Sequence, residues 1–68
     1  MKLYFENSYG KERLIAEVQN EEEAFKEIHK FLDDHNYKSY YTRSWMVNGR
    51  KKYDVGSYSE FFWLDTNE

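Results

Sequence analysis

Sixty-eight residues with no cysteine make one domain that closes no disulfide and offers no thiolate to a metal. A net charge of −3 and a pI near 5.3 argue against a dedicated duplex-DNA binder, which would show a clearly basic surface. No apolar run approaches the roughly 18 residues of a membrane span, and no leader segment precedes the first element, so a cytoplasmic protein without a membrane partner is expected.

The chain opens with a strand over Lys2–Glu6, Leu3 and Phe5 on one face and Tyr4 on the other. The turn cluster Asn7-Ser8-Tyr9-Gly10 follows, and residues 11–18 read as the returning strand of a hairpin, with Leu14, Ala16 and Val18 sharing a face. A helix begins after Asn20. That residue is a good N-cap, Glu23 completes a capping-box-like pattern, and Glu21, Glu22 and Glu23 meet the positive end of the helix dipole. Ala24, Phe25, Ile28, Phe31, Leu32 and His35 recur at the spacing of one buried stripe, and Asn36 suits a left-handed C-terminal position. Asp33 and Asp34 lie at the unfavourable end of the dipole and are read as a solvated acidic face.

Asn48-Gly49 signals a two-residue type I′ turn, because both central positions need positive φ. The turn sets the register of a second hairpin: Val47 opposes Arg50, Trp45 opposes Lys52, Arg43 opposes Asp54 and Tyr41 opposes Gly56. On the other face Met46 meets Lys51, Ser44 meets Tyr53, Thr42 meets Val55 and Tyr40 meets Ser57. The face of Tyr40, Met46, Tyr53 and Val55 is richer in large apolar residues and is expected to be core. That leaves Tyr41, Arg43, Trp45, Arg50 and Lys52 as an exposed aromatic-basic face; the reverse choice would make Trp45 a core anchor. The segment from Gly56 carries Ser57-x-x-Glu60, which predicts a single helical turn. Phe61, Phe62, Trp63 and Leu64 then form a short last strand, whose four consecutive apolar residues need cover on both sides. A second copy of the chain could supply that cover. The expected fold is α+β: a two-layer domain over residues 1–68, with an antiparallel sheet of two hairpins (β-β-α-β-β), a fifth short strand, and the helix on one face.

The apolar inventory is unusual, with 11 residues of Ala, Val, Ile and Leu against 14 of Tyr, Phe and Trp. Large aromatics let a small domain without staples build a core, each burying on the order of 150–250 Å². Seven tyrosines exceed what such a core can satisfy at their hydroxyls, so several reach the surface. Charge is segmental: residues 1–36 balance at −4, residues 37–53 at +5 and residues 54–68 at −4.

Tyr40-Tyr41-x-Arg43-x-Trp45, followed by Asp54-x-Gly56-Ser57-x-x-Glu60-Phe61-Phe62, resembles a pattern in small proteins of phages and prophages of Gram-positive bacteria. The resemblance covers the C-terminal half, with Tyr58-Ser59 where a His-Thr-like pair would be expected. It implies a phage-like accessory protein, working in the cytoplasm of the host cell, that redirects or blocks a host process; it brings no activity to transfer.

Catalytic constellations are weak. There is no Gly-rich phosphate loop, and the two histidines are six residues apart, off the spacing of a shared helical ligand pair. No enzymatic activity, cofactor or metal is expected. Two binding readings remain. The preferred one is a protein-binding module, self-associating, that docks through exposed Tyr and Trp and the terminal Phe61-Phe62-Trp63-Leu64 segment, with Tyr41, Arg43, Trp45, Phe62 and Trp63 among the candidate residues; the chain has twelve residues of the hot-spot types Tyr, Trp and Arg. The alternative is a nucleic acid or nucleotide on the second hairpin, with Tyr41 or Trp45 stacking and Arg43, Arg50, Lys51 and Lys52 meeting phosphates. Against it, lysines along an edge strand are ordinary protection against edge-to-edge aggregation. Mimicry of DNA by Glu21, Glu22, Glu23, Asp33 and Asp34 is a third reading, needing those charges spaced like phosphates.

Overall fold

The computed structural model describes residues 1–37 and 41–66. The strands are β1 (Lys2–Glu6), β2 (Glu12–Glu17), β3 (Arg43–Val47), β4 (Arg50–Asp54) and β5 (Phe61–Asp65), and the helix is α1 (Glu21–Asp34). One antiparallel sheet runs in the order β2-β1-β5-β4-β3. The fold is α+β with one helix, as expected. The last strand is not an appendage, however: β5 lies at the centre and joins the two hairpins.

Its run of four apolar residues explains the placement. Phe62 and Leu64 point toward the helix and are fully buried with Leu3, Ala24, Ile28 and Leu32. Phe61 and Trp63 point to the opposite face, half-buried under Lys52 and Arg50. The chain's own cations therefore cover the second side of β5 in the single chain. Phe62, expected at a binding surface, is a core residue.

Helix α1 is closed at both ends as its sequence dictates. Asn20 Oδ1 accepts from Glu23 N–H at 2.9 Å, and Glu23 Oε1 accepts from Gln19 N–H at 2.9 Å. At the other end Asn36 adopts φ 61°, Tyr37 N–H reaches Leu32 O at 3.0 Å and Asn36 N–H reaches Asp33 O at 3.2 Å. These two bonds form a Schellman motif, with Tyr37 packing back on the core. The buried stripe is narrower than the spacing suggests. Ala24, Ile28 and Leu32 are buried, whereas His35 is exposed and Phe25 is 45% exposed, because a sheet under one helix covers only the nearest flank.

A register shift at Leu3/Tyr4 corrects the first hairpin. Ala16 pairs with Leu3 but Leu14 pairs with Tyr4, so Leu14 turns to the open face instead of sharing a side with Ala16. The second hairpin has the expected register from Arg43↔Asp54 to Val47↔Arg50, with Asn48 at φ 51° and Gly49 at φ 81°. Tyr53 and Val55 are buried as the core face requires. Met46 on the same face is 58% exposed, since β3 ends the sheet beyond the cover of the helix. Tyr40 lies outside the described residues. Ser57 Oγ accepts from Glu60 N–H at 3.2 Å, but the segment runs as an irregular turn and not as a helical one.

Candidate interaction surface

Alternation along the strands sends Leu3, Phe62, Leu64 and Tyr53 to the helix and their neighbours to the open face of the sheet. The pairings align one row across all five strands: Leu14, Tyr4, Trp63, Lys52 and Trp45. A second row holds Glu12, Glu6, Phe61, Asp54 and Arg43. Aromatic rings and opposite charges thus interleave on one surface.

The cations on this face are engaged by the same chain. Arg50 Nη2 and Nη1 donate to the two carboxylate oxygens of Glu12 at 2.6 and 3.1 Å. On the way its guanidinium passes 4.7 Å from the Trp63 ring centroid and 5.4 Å from that of Tyr4. The Glu12 hydrogen bond raises the Arg50 pKa above its ordinary value, so its charge is fixed. Lys52 Nζ sits 4.0 Å from the Phe61 centroid and 5.0 Å from that of Trp63. Trp63 Nε1 donates to Glu6 Oε1 at 2.6 Å. The centre of the face is therefore packed.

At the β3 end, Arg43 Nη2 donates to Asp54 Oδ2 at 2.7 Å, and Asp54 Oδ1 accepts from Gly56 N–H at 2.9 Å. The Arg43 bond first, and the Gly56 bond second, hold the Asp54 carboxyl below the usual carboxylate range. Tyr41 lies against Gly56, where a Cβ would come 3.1 Å from its ring, and 5.3 Å from the Arg43 guanidinium. A residue with a side chain at position 56 would displace that ring. Tyr41 and Trp45 remain 53% and 42% exposed.

The structure thus gathers Tyr41, Arg43, Trp45, Arg50, Lys52 and Trp63 on one face and separates two expected members from it. Phe62 is buried under α1. Lys51 turns to the helix side, pairs with Glu21, and has its pKa raised by that bond. Lys51 and Lys52 also lie on β4, an interior strand, so they protect no edge. The acids Glu6 and Glu12 were not legible as members of this face. Their partners are 57 and 38 residues away in sequence, and only the central placement of β5 brings them together.

Among the described residues no helix is long and apolar enough to cross a membrane, and no three His, Cys, Asp or Glu side chains form a metal-holding group. No family model matches the chain, nor does any curated protein or solved structure.

Proposed function

We propose that this chain is a non-enzymatic, phage-like accessory protein that binds a protein of the host cell or of its defence system, as a homo-oligomer. The supporting observation is the state of the β3 end of the open face. Tyr41 and Trp45 are about half exposed there, beside an Arg43 whose charge is already met by Asp54. Exposed rings around a compensated charge suit a protein partner, for which aromatic and arginine side chains act as anchors and uncompensated charge is unfavourable. The phage-like character rests on the resemblance of the C-terminal half.

Binding of nucleic acid is the weaker reading. Contacting phosphates requires cations free to replace counterions, and Arg50, Arg43 and Lys51 are held by Glu12, Asp54 and Glu21. The acidic-mimic reading is weakened in the same way, since Glu21 and Glu23 are engaged by Lys51 and the helix cap.

The test is capture from host lysate, with and without nuclease, by the wild-type protein, by Trp45→Glu, and by Tyr9→Ser as a control on an exposed ring of the first hairpin's turn. A host protein retained after nuclease by wild type and by Tyr9→Ser but lost with Trp45→Glu supports the reading. Retention that depends on nucleic acid, or that ignores Trp45→Glu, overturns it.

A further inference from the structure

The two edges of this sheet are treated differently by the sequence. Strand β2 carries a register shift that breaks its regularity, and has Glu12, Arg13 and Glu17 along its length. Bulges and charges are the usual means of keeping an edge from pairing with another chain. Strand β3, Arg43-Ser44-Trp45-Met46-Val47, pairs with β4 in unbroken register and has no lysine, no acid and no proline. Its one charge is bound to Asp54. Four of its five residues are exposed, Trp45 and Met46 among them.

The hairpin register states which backbone groups are on offer. In a hairpin closed by a two-residue turn, the flanking pair exchanges hydrogen bonds and the pattern repeats every second residue. Val47, Trp45 and Arg43 therefore direct their N–H and C=O groups into β4. Ser44 and Met46 direct theirs outward, and no described strand pairs with them. Two outward residues on an extended, unbroken strand are a ready template for another extended strand.

We propose that β3 pairs antiparallel with β3 of a second copy, about a two-fold axis at Trp45, giving one ten-stranded sheet. In this register Ser44 lies opposite Met46 of the second copy at two equivalent places, and the outward groups of both are satisfied. Trp45 meets Trp45 of the second copy on the open face. Arg43 lies opposite Val47 of the second copy, which keeps the two guanidinium groups at opposite ends of the seam. A second copy fits this edge because no uncompensated charge meets its like anywhere along it. The two helices then lie on the same side of the joined sheet with Met46 between them. Phe25 follows Glu21 by one turn on the helix flank that reaches Lys51, so a further exposed ring borders the same gap. The aromatic rows of the two open faces become continuous across the seam. This deepens the protein-binding reading and rests on it for treating the β3 end as an interface.

Sedimentation equilibrium of the intact chain tests the pairing. The wild-type mass should climb from one chain toward two as concentration rises from low to high micromolar. Ser44→Pro removes an outward N–H without touching a β3–β4 bond, and Met46→Lys adds a charge at the seam; both should stay monomeric with unchanged circular dichroism. If the proline variant fails to fold, Met46→Lys carries the test. The chain has no cysteine of its own, so register can be read by oxidation. Trp45→Cys should cross-link two copies at least tenfold faster than Arg43→Cys. A monomeric wild type at high micromolar concentration, a Met46→Lys variant that dimerises like wild type, or Arg43→Cys linking as fast as Trp45→Cys would each overturn the proposal. A monomer that still captures its host protein overturns the pairing and the homo-oligomeric state, and leaves the protein-binding reading standing. A dimer that captures nothing overturns the protein-binding reading and leaves the pairing standing.

Discussion

Arg50 on β4 and Glu12 on β2 are joined by two hydrogen bonds that cross the open face over the rings of Trp63 and Tyr4. The two residues sit on strands separated by β5 and β1, so the pair ties the second hairpin to the first. A lysine can reach with one point charge but cannot reproduce the planar fork or its stacking. Arg50→Lys should lower stability by about 1 kcal/mol, because the pair is partly solvated and worth less than a buried one. Denaturant titration at low and high salt checks this, and the difference between the two proteins should shrink as salt rises.

Turn chemistry made the second hairpin readable. Asn48 and Gly49 occupy the positive-φ positions that their residue types suit. Gly49→Val forces a β-branched side chain into that region and should cost more than about 1 kcal/mol, measured as a fall in the denaturation midpoint. Caps and periodicity likewise located α1, whose N-cap, left-handed Asn36 and central buried positions all follow from local residues. What was not readable is non-local. Nothing near Phe61 says that its strand inserts between β1 and β4, because that outcome depends on both hairpins leaving an apolar slot between them. Once β5 is central, Phe62 must be core and Trp63 must face Arg50, so the expected binding role of Phe62 fails for the same reason. The bulge that turns Leu14 outward was hidden as well, since a shift of one residue leaves no mark in an alternating pattern.

Asp54 makes stability depend on pH in acid. Its folded pKa is lowered by Arg43 and by the Gly56 N–H, so it contributes stability above its unfolded value of about 4. That contribution disappears as pH falls through the lower folded value. Asp54→Asn should therefore be less stable than wild type at neutral pH, with the gap closing as pH falls through the lowered folded value. A stability gap that persists unchanged into acid would contradict the assignment.

Tyr37 gives the opposite dependence. Its hydroxyl donates to Glu60 Oε1 at 2.5 Å, linking the end of α1 to the segment before β5. Burial, and then the hydrogen bond to Glu60, push its pKa up to about 12. The folded state holds the phenol neutral, so the stabilisation is complete below the unfolded value of about 10 and is lost as pH rises from there toward 12. Phenolate absorbance should show a late-titrating tyrosine that is missing in Tyr37→Phe. That variant should also lose part of the extra steepness of alkaline unfolding.

Arg50, Lys51 and Lys52 are the three consecutive cations that a phosphate-binding hairpin would use. Each has another task in the fold: Arg50 holds Glu12, Lys51 holds Glu21, and Lys52 lies over Phe61 and Trp63. Replacing all three with Gln removes two cross-element ion pairs and the cationic cover of β5, so the main effect should fall on stability. Affinity for single-stranded nucleic acid should be weak before the change and remain weak after it. If these side chains instead met phosphates, wild-type binding would be tight at low salt and would weaken steeply with added salt, as contacted phosphates release counterions. Fluorescence anisotropy with a labelled single strand, run across a salt series beside thermal denaturation of both proteins, separates the cases. Sub-micromolar, salt-sensitive binding by wild type that the triple variant loses without losing stability would assign this hairpin to nucleic acid. A lower melting temperature with no binding in either protein assigns the three cations to the architecture of the sheet.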